Sequence, residues 1–184
     1  MMELERKFCA GGDGPGLVVE GAGIEGYASI FGAVDQGGDV VEPCAYGASL
    51  TALAARGGKV RMLWQHDPAQ PIGVWDEVRE DGRGLWVRGR LLPEVARARE
   101  AAALLEAGAI DGLSIGYRTR RATRDAGGGR RLTELELWEV SLVTFPMLGE
   151  ARVGAKGDAP GAPDPMRDLA AALRDARQAL ATGG

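Results

Sequence analysis

The chain reads as a mainly β domain with flanking helices (α+β), built around a small closed or nearly closed β-barrel. Three observations predict this. Glycine is abundant, 29 of 184 residues, and clusters in turn-like places such as Gly37-Gly38 and Gly57-Gly58; this favours many short connections over a helical bundle. About seven segments have strand length and strand-like side-chain patterns. Two helical segments lie among them without the regular strand–helix–strand alternation that a parallel sheet requires.

Residues 3–8 and 17–31 read as strands, and Gly26-Tyr27-Ala28-Ser29-Ile30-Phe31 alternates small and large side chains as a tightly curved strand does. Asp35-Gln36-Gly37-Gly38-Asp39 is a turn. Tyr46 to Ala55 is a short helix closed by Gly57-Gly58. Lys59 to Gln65 is a strand with Val60, Met62 and Trp64 on one face, ended by His66-Asp67-Pro68. Ile72 to Val78 and Leu85 to Leu92 form a hairpin around Glu80-Asp81-Gly82-Arg83-Gly84. Pro93 opens the clearest helix, Glu94 to Ala107, with Glu94 at its positive end and Gly108 as its stop. Ile110 to Arg120 returns to strand, Asp125 to Gly129 turns, and Arg131 to Thr144 is a long strand stopped by Phe145-Pro146. Trp64, Trp75, Trp86 and Trp138 read as core packing. Three parts result: a barrel domain over 1–153, a flexible Gly/Ala/Pro linker over 154–165 and an amphipathic helical tail over 166–184.

The totals exclude several function classes. A net charge of -4 leaves no footprint for direct nucleic-acid binding. No apolar run approaches the ~20 residues that span a bilayer, and the N-terminal residues lack the apolar stretch of a signal peptide. The expectation is a protein made in the cytoplasm with no membrane partner. Cys9 and Cys44 fit no metal-ligand spacing and read as free thiols, so neither metal nor cofactor is expected.

The chain holds a single histidine, His66, and one serine between glycines, Gly112-Leu113-Ser114-Ile115-Gly116. Serine chemistry with a histidine base must therefore use His66. The Gly-x-Ser-x-Gly string matches the nucleophile elbow of α/β-hydrolases, but no helix follows Ser114 and no histidine comes after it, so that fold is rejected. The order His, Asp, Ser, with Asp76 or Asp81 between, suits a double barrel for which the chain is short. The remaining order is His, Ser, then a third member on the long strand, where Glu136 and Glu139 lie. Leu135, Leu137, Glu139, Ser141 and Val143 share one face of it, and the apolar run after Glu139 marks that carboxylate for burial. A buried carboxylate needs a partner, and an imidazole N–H would serve.

These residues resemble the prohead maturation proteases of tailed phages with an HK97-like capsid, and more distantly the herpesvirus assembly proteases. The matching segments are Gly26-Tyr27-Ala28-Ser29-Ile30-Phe31, Asp39-Val40-Val41-Glu42-Pro43, Leu63-Trp64-Gln65-His66-Asp67, Ile72-Gly73, residues 107–117 around Ser114, and residues 137–146 around Glu139. The resemblance covers roughly residues 3–153. It implies a serine endopeptidase on a small β-barrel that works inside the immature capsid. Its substrates would be the scaffold, or the scaffold-like N-terminal segment of the major capsid protein, and the protease itself. It also implies self-association within the prohead, inside a phage, a prophage remnant or a gene-transfer particle. By the same resemblance His66 is the general base and Ser114 the nucleophile. Glu139 stands at the third position, where the herpesvirus branch has a second histidine, with Glu136 and Asp111 as fallbacks. The herpesvirus oxyanion arginine follows the third member closely; here the next arginine is Arg152, beyond Phe145-Pro146, and that role is not transferred.

Plainer readings compete. A lone histidine is more often structural than catalytic, and a serine between glycines is usually a turn or a close-packed strand. Glu139 could pair with Arg118 or Arg120, and the basic group Arg118, Arg120, Arg121 and Arg124 reads as a solvated strand end. The competing class is an inactive capsid-assembly or scaffold-binding module. It requires Ser114 and His66 to lie apart, or to be buried without access.

Overall fold

The computed structural model describes residues 23–124 and 128–146 with their side chains and residues 5–9 and 18–20 by their backbone. The order is β1 (Glu5–Cys9), β2 (Val18–Glu20), β3 (Gly23–Ile30), β4 (Val40–Val41), α1 (Gly47–Ala55), β5 (Arg61–Trp64), β6 (Asp67–Glu80), β7 (Gly84–Leu91), α2 (Ala96–Glu106), β8 (Gly112–Arg124) and β9 (Arg130–Val143). All nine strands belong to one sheet, ordered β1-β8-β9-β5-β6-β7-β3-β2, with β4 paired to β9.

The mainly β expectation holds, and the closed barrel does not. β1 and β2 stand at opposite ends of the strand order, and no pairing joins them among the described residues. β2 is three residues long and pairs only with Gly23–Glu25, whereas β1 lies along Leu113–Tyr117. With these two edges unpaired, the sheet is a curled half-barrel. The segment read as one strand over 17–31 is the antiparallel pair β2–β3, and β6 begins at Asp67 rather than Ile72.

Both helices end by the same device. Gly57 and Gly108 take positive φ, +65° and +67°, where a side chain would be strained. Gly57 and Gly58 then donate to Ala54 O and Leu53 O, and Gly108 and Ala109 donate to Leu105 O and Leu104 O. These are the paired bonds of a Schellman motif. The start of α2 is later than expected, at Ala96, with Pro93 and Glu94 in the preceding turn. Ala98, Ala101 and Leu105 form its buried stripe, against β6 and β7.

The long strand β9 is the axis of the sheet. β8 pairs along one edge, while β4 and β5 cover the two ends of the other, running parallel to it. The gap between them is filled by the start of α1: Leu135 N–H donates to Ala45 O at 2.8 Å and Leu137 N–H to Ser49 Oγ at 2.9 Å. Leu135 and Leu137 thus keep partners for their buried N–H groups where no strand lies alongside. Leu132, Leu135, Leu137, Val140 and Leu142 join Tyr46, Trp75, Leu85, Val87, Ile115 and Tyr117 in the core, and Trp75 Nε1 donates to Val140 O. Trp138 departs from the core expectation at 42% exposed. The β8–β9 register steps from Gly116↔Glu139 to Tyr117↔Leu137, leaving Trp138 as the unpaired residue of a β-bulge, pointing outward.

The linker over 154–165 and the tail over 166–184 lie outside the described residues, as does Arg152; the turn expected at 125–129 is described only at Gly128 and Gly129.

Candidate active site

Three elements meet where β5, β8 and β9 run side by side. Ser114 lies on β8 and faces Ser141 on β9; two residues along, Gly116 faces Glu139. Strand side chains alternate, so Ser114, Gly116, Glu139 and Ser141 occupy one face of the two strands. That face is closed: Ser114 is 0%, Ser141 0%, Glu139 4% and His66 5% exposed.

His66 comes from a turn. Trp64 and Asp67 pair across the β5–β6 hairpin, leaving Gln65 and His66 as its two-residue loop. Both have positive φ, +52° and +61°. Such loops favour that conformation, yet Gln is not among the residues, Gly, Asn, Asp and His, that adopt it most readily. Tertiary bonds hold the loop: Gln65 N–H donates to Leu142 O at 2.9 Å, and Gln65 Nε2 donates to Thr144 Oγ1 at 2.7 Å. Gln65 Oε1 accepts a longer bond from Thr144 N–H at 3.4 Å. The loop carrying the imidazole is thereby fastened to the end of the strand carrying Glu139.

The three side chains form a continuous chain. His66 Nδ1 lies 2.5 Å from Glu139 Oε1, and Ser114 Oγ lies 2.5 Å from His66 Nε2. A carboxylate only accepts, so Nδ1 carries the proton. The neutral ring then offers Nε2 as an acceptor, and Ser114 donates to it. The other carboxylate oxygen, Glu139 Oε2, accepts from the Ser141 hydroxyl.

Gly116 has a concrete reason to be glycine. A Cβ built there would lie 2.0 Å from Glu139 Oε1, 2.6 Å from Cδ and 2.8 Å from Cγ. The second glycine of Gly-x-Ser-x-Gly is therefore the floor on which the Glu139 carboxylate rests, with no relation to a strand-to-helix elbow.

The other sequence candidates lie elsewhere. Glu136 pairs with Arg120, and Asp111 precedes β8. Arg118 stands opposite Glu136 in the ladder, and the two Glu139 oxygens are held by His66 and Ser141 rather than by Arg118 or Arg120. No group of three potential metal ligands occurs among the described residues. Sequence reasoning put Ser141 on the face of Glu139 without giving it a role, and it missed Gln65 and Thr144.

A family model for the caudovirus prohead serine protease matches residues 18–159. The chain is 35% identical over 176 residues to the prohead protease of Enterobacteria phage HK97, spanning 94% of this chain and 73% of that protein. It is 32% identical over 137 residues to the capsid polyprotein of Pseudomonas phage PAJU2, spanning 71% of this chain and 19% of that protein. Among solved structures, the bacteriophage T4 capsid assembly protease matches with a TM-score of 0.61 at 18% identity, over 78% of this chain and 98% of that one, which is a likeness of fold. On the extent of the family match and the identity to the HK97 protein, the chain belongs to the caudovirus prohead serine proteases.

Proposed function

We propose that this protein is a serine endopeptidase of prohead maturation in which Ser114 is the nucleophile, His66 the general base and Glu139 the residue that orients and balances the imidazole. The observation that carries the reading is the Ser114–His66–Glu139 chain, with both links at 2.5 Å.

The chemistry follows from that chain. Ser114 Oγ attacks a peptide carbonyl carbon as its proton passes to His66 Nε2. The new imidazolium is held by Glu139, whose carboxylate already accepts from Nδ1. His66 then gives its proton to the departing amine nitrogen as the C–N bond breaks, leaving an acyl-enzyme. Water attacks that ester with His66 again taking a proton, and the acid product leaves as Ser114 regains its hydrogen.

The proposed substrate is the major capsid protein or its scaffold-like segment, with self-cleavage as a second target. The names of the relatives, a prohead protease and a capsid polyprotein, support that substrate class. The proposed place of action is the interior of the immature capsid in the host cytoplasm.

One observation favours the second reading, an inactive assembly module: Ser114 is 0% exposed, so no peptide reaches it in this state. The 2.5 Å contact to His66 weighs against that reading, because a module without chemistry has no need of an aligned base.

The test is co-expression with the cognate major capsid protein, comparing wild type with Ser114→Ala by intact mass in particles shown to assemble. A capsid-protein fragment made only by wild type is the expected result and gives the cleaved bond. Intact capsid protein in both, within assembled particles, would establish the module reading instead.

A further inference from the structure

The Glu139 carboxylate has two oxygens, and the triad uses one. Oε1 accepts from His66, while Oε2 belongs to a residue only 4% exposed. An unpaired anionic oxygen there would be costly. Its partner is the hydroxyl of Ser141, two residues further along β9 and 0% exposed. Since a carboxylate cannot donate, the Ser141 proton must point at Oε2.

This bond fixes something that the His66 contact leaves loose. A carboxylate held at one oxygen can still swing about its terminal torsion, which is broad for glutamate. Held at both oxygens, it has one plane. The bare Cα face of Gly116 closes the third side, 2.0 Å from Oε1 when measured from a built Cβ. Ser141 is itself set by register, because it pairs with Ser114 across the β8–β9 ladder. The backbone that positions the nucleophile thus also positions the group that locks the acid.

We infer that Ser141 is a positioning residue of the catalytic site: its hydroxyl clamps Glu139 Oε2 so that Oε1 holds His66 in the tautomer and orientation needed to accept the Ser114 proton. This rests on the protease reading of the same site. It differs from that reading in assigning to a serine outside the triad an effect on turnover and none on peptide binding.

The single histidine makes the test unambiguous, since every imidazole resonance of the full chain belongs to His66. The measurement is the 1H and 15N signature of Nδ1–H in wild type, Ser141→Ala, Ser141→Thr and Glu139→Gln. It is paired with kcat and KM on a peptide spanning the cleaved bond. In Ser141→Ala the Nδ1 proton should move toward its Glu139→Gln position and exchange faster with water. Its kcat should fall about 10- to 100-fold, the scale of a small misplacement of a catalytic group, with KM unmoved. Ser141→Thr, which keeps the hydroxyl, should restore the Nδ1 signature. An unchanged Nδ1–H signal in folded Ser141→Ala would overturn the inference. The two failures are separable: a wild-type chain that cleaves nothing but shows the Ser141-dependent signal refutes the protease reading and keeps the clamp.

Discussion

Gly116→Ala tests the site geometry most directly. The added Cβ would lie 2.0 Å from Glu139 Oε1, where ordinary contact begins at 3.4 Å. The carboxylate must therefore retreat by about 1.4 Å, or the strands must part by as much. A retreat of that size along the His66 contact stretches 2.5 Å well past the 3.2 Å limit of a good hydrogen bond. Misplacing a catalytic group by about 1 Å costs about 10²-fold, and losing the correct histidine tautomer about 10⁴-fold, so kcat should fall between those bounds. Overpacking of this kind also costs about 1–3 kcal/mol of stability. Gly112→Ala separates the two effects. Its Cβ meets Val143 O at 2.9 Å and Pro146 Cδ at 3.0 Å, so it disturbs packing without meeting Ser114, His66 or Glu139. The assay is kcat on a peptide carrying the cleaved bond, with a thermal melt on each variant. The expected pattern is that both variants lose stability and Gly116→Ala alone loses kcat. A Gly116→Ala enzyme with wild-type kcat would refute the reasoning, since it would mean that the acid need not stand where it does.

Three further predictions use the same structure. Glu139→Gln should keep the fold and lower kcat sharply without abolishing turnover; unchanged kcat would remove Glu139 from the third position. Gln65→Ala deletes both bonds to Thr144 while leaving the backbone bond to Leu142, so the His66 loop loosens. It should reduce kcat more than it reduces Tm, and a variant losing only Tm would make the clamp purely structural. Asp81→Asn probes the β6–β7 turn. Burial raises the Asp81 pKa, but backbone N–H groups of Arg83 and Gly84, the Tyr27 hydroxyl and Arg79 outweigh it, and the net shift is downward. The unfolded chain then binds the proton first, so the stabilisation is present above the unfolded value near pH 4 and lost as pH falls through the folded one. Asp81→Asn should cost about 1–2 kcal/mol at pH 7 and flatten the loss of Tm below pH 4; an equally steep acid limb would count against it.

How much of this was legible in the sequence depends on which force set each element. Local forces were readable. The glycines at 57 and 108 announced both helix ends, and the apolar run after Glu139 marked that carboxylate for burial. Tertiary forces were not. Gln65-His66 lacks the Gly, Asn or Asp that marks such a turn, and the loop is fastened by bonds from Gln65 to Thr144 and Leu142, nearly 80 residues away. Residues 17–31 also held a local signal, the Gly21-Ala22-Gly23 stretch between Val18–Glu20 and β3, which the single-strand reading passed over. Trp138 reads as core because alternation alone cannot show a bulge.

That bulge explains how a charged chain fits inside an apolar sheet. With unbroken register Tyr117 would face Trp138, and Leu137 would face Arg118. With Trp138 expelled, Tyr117 pairs with Leu137 and Arg118 with Glu136, so both pairs match in character. Tyr117 and Leu137 are 1% and 2% exposed and close the core directly beside Glu139. Beyond the bulge, the other face of the two strands carries Gly116 and Ser114 across from Glu139 and Ser141, up to Thr144, where Gln65 is fastened. The polar face is thus bounded by a bulge at one end and a clamped turn at the other. Within it, both Glu139 oxygens and both His66 nitrogens have partners. Burial strengthens such bonds when every member is satisfied and penalises the fold when one is not. Register, bulge and turn clamp therefore serve one requirement: an imidazole held between a hydroxyl and a carboxylate to within a fraction of an ångström.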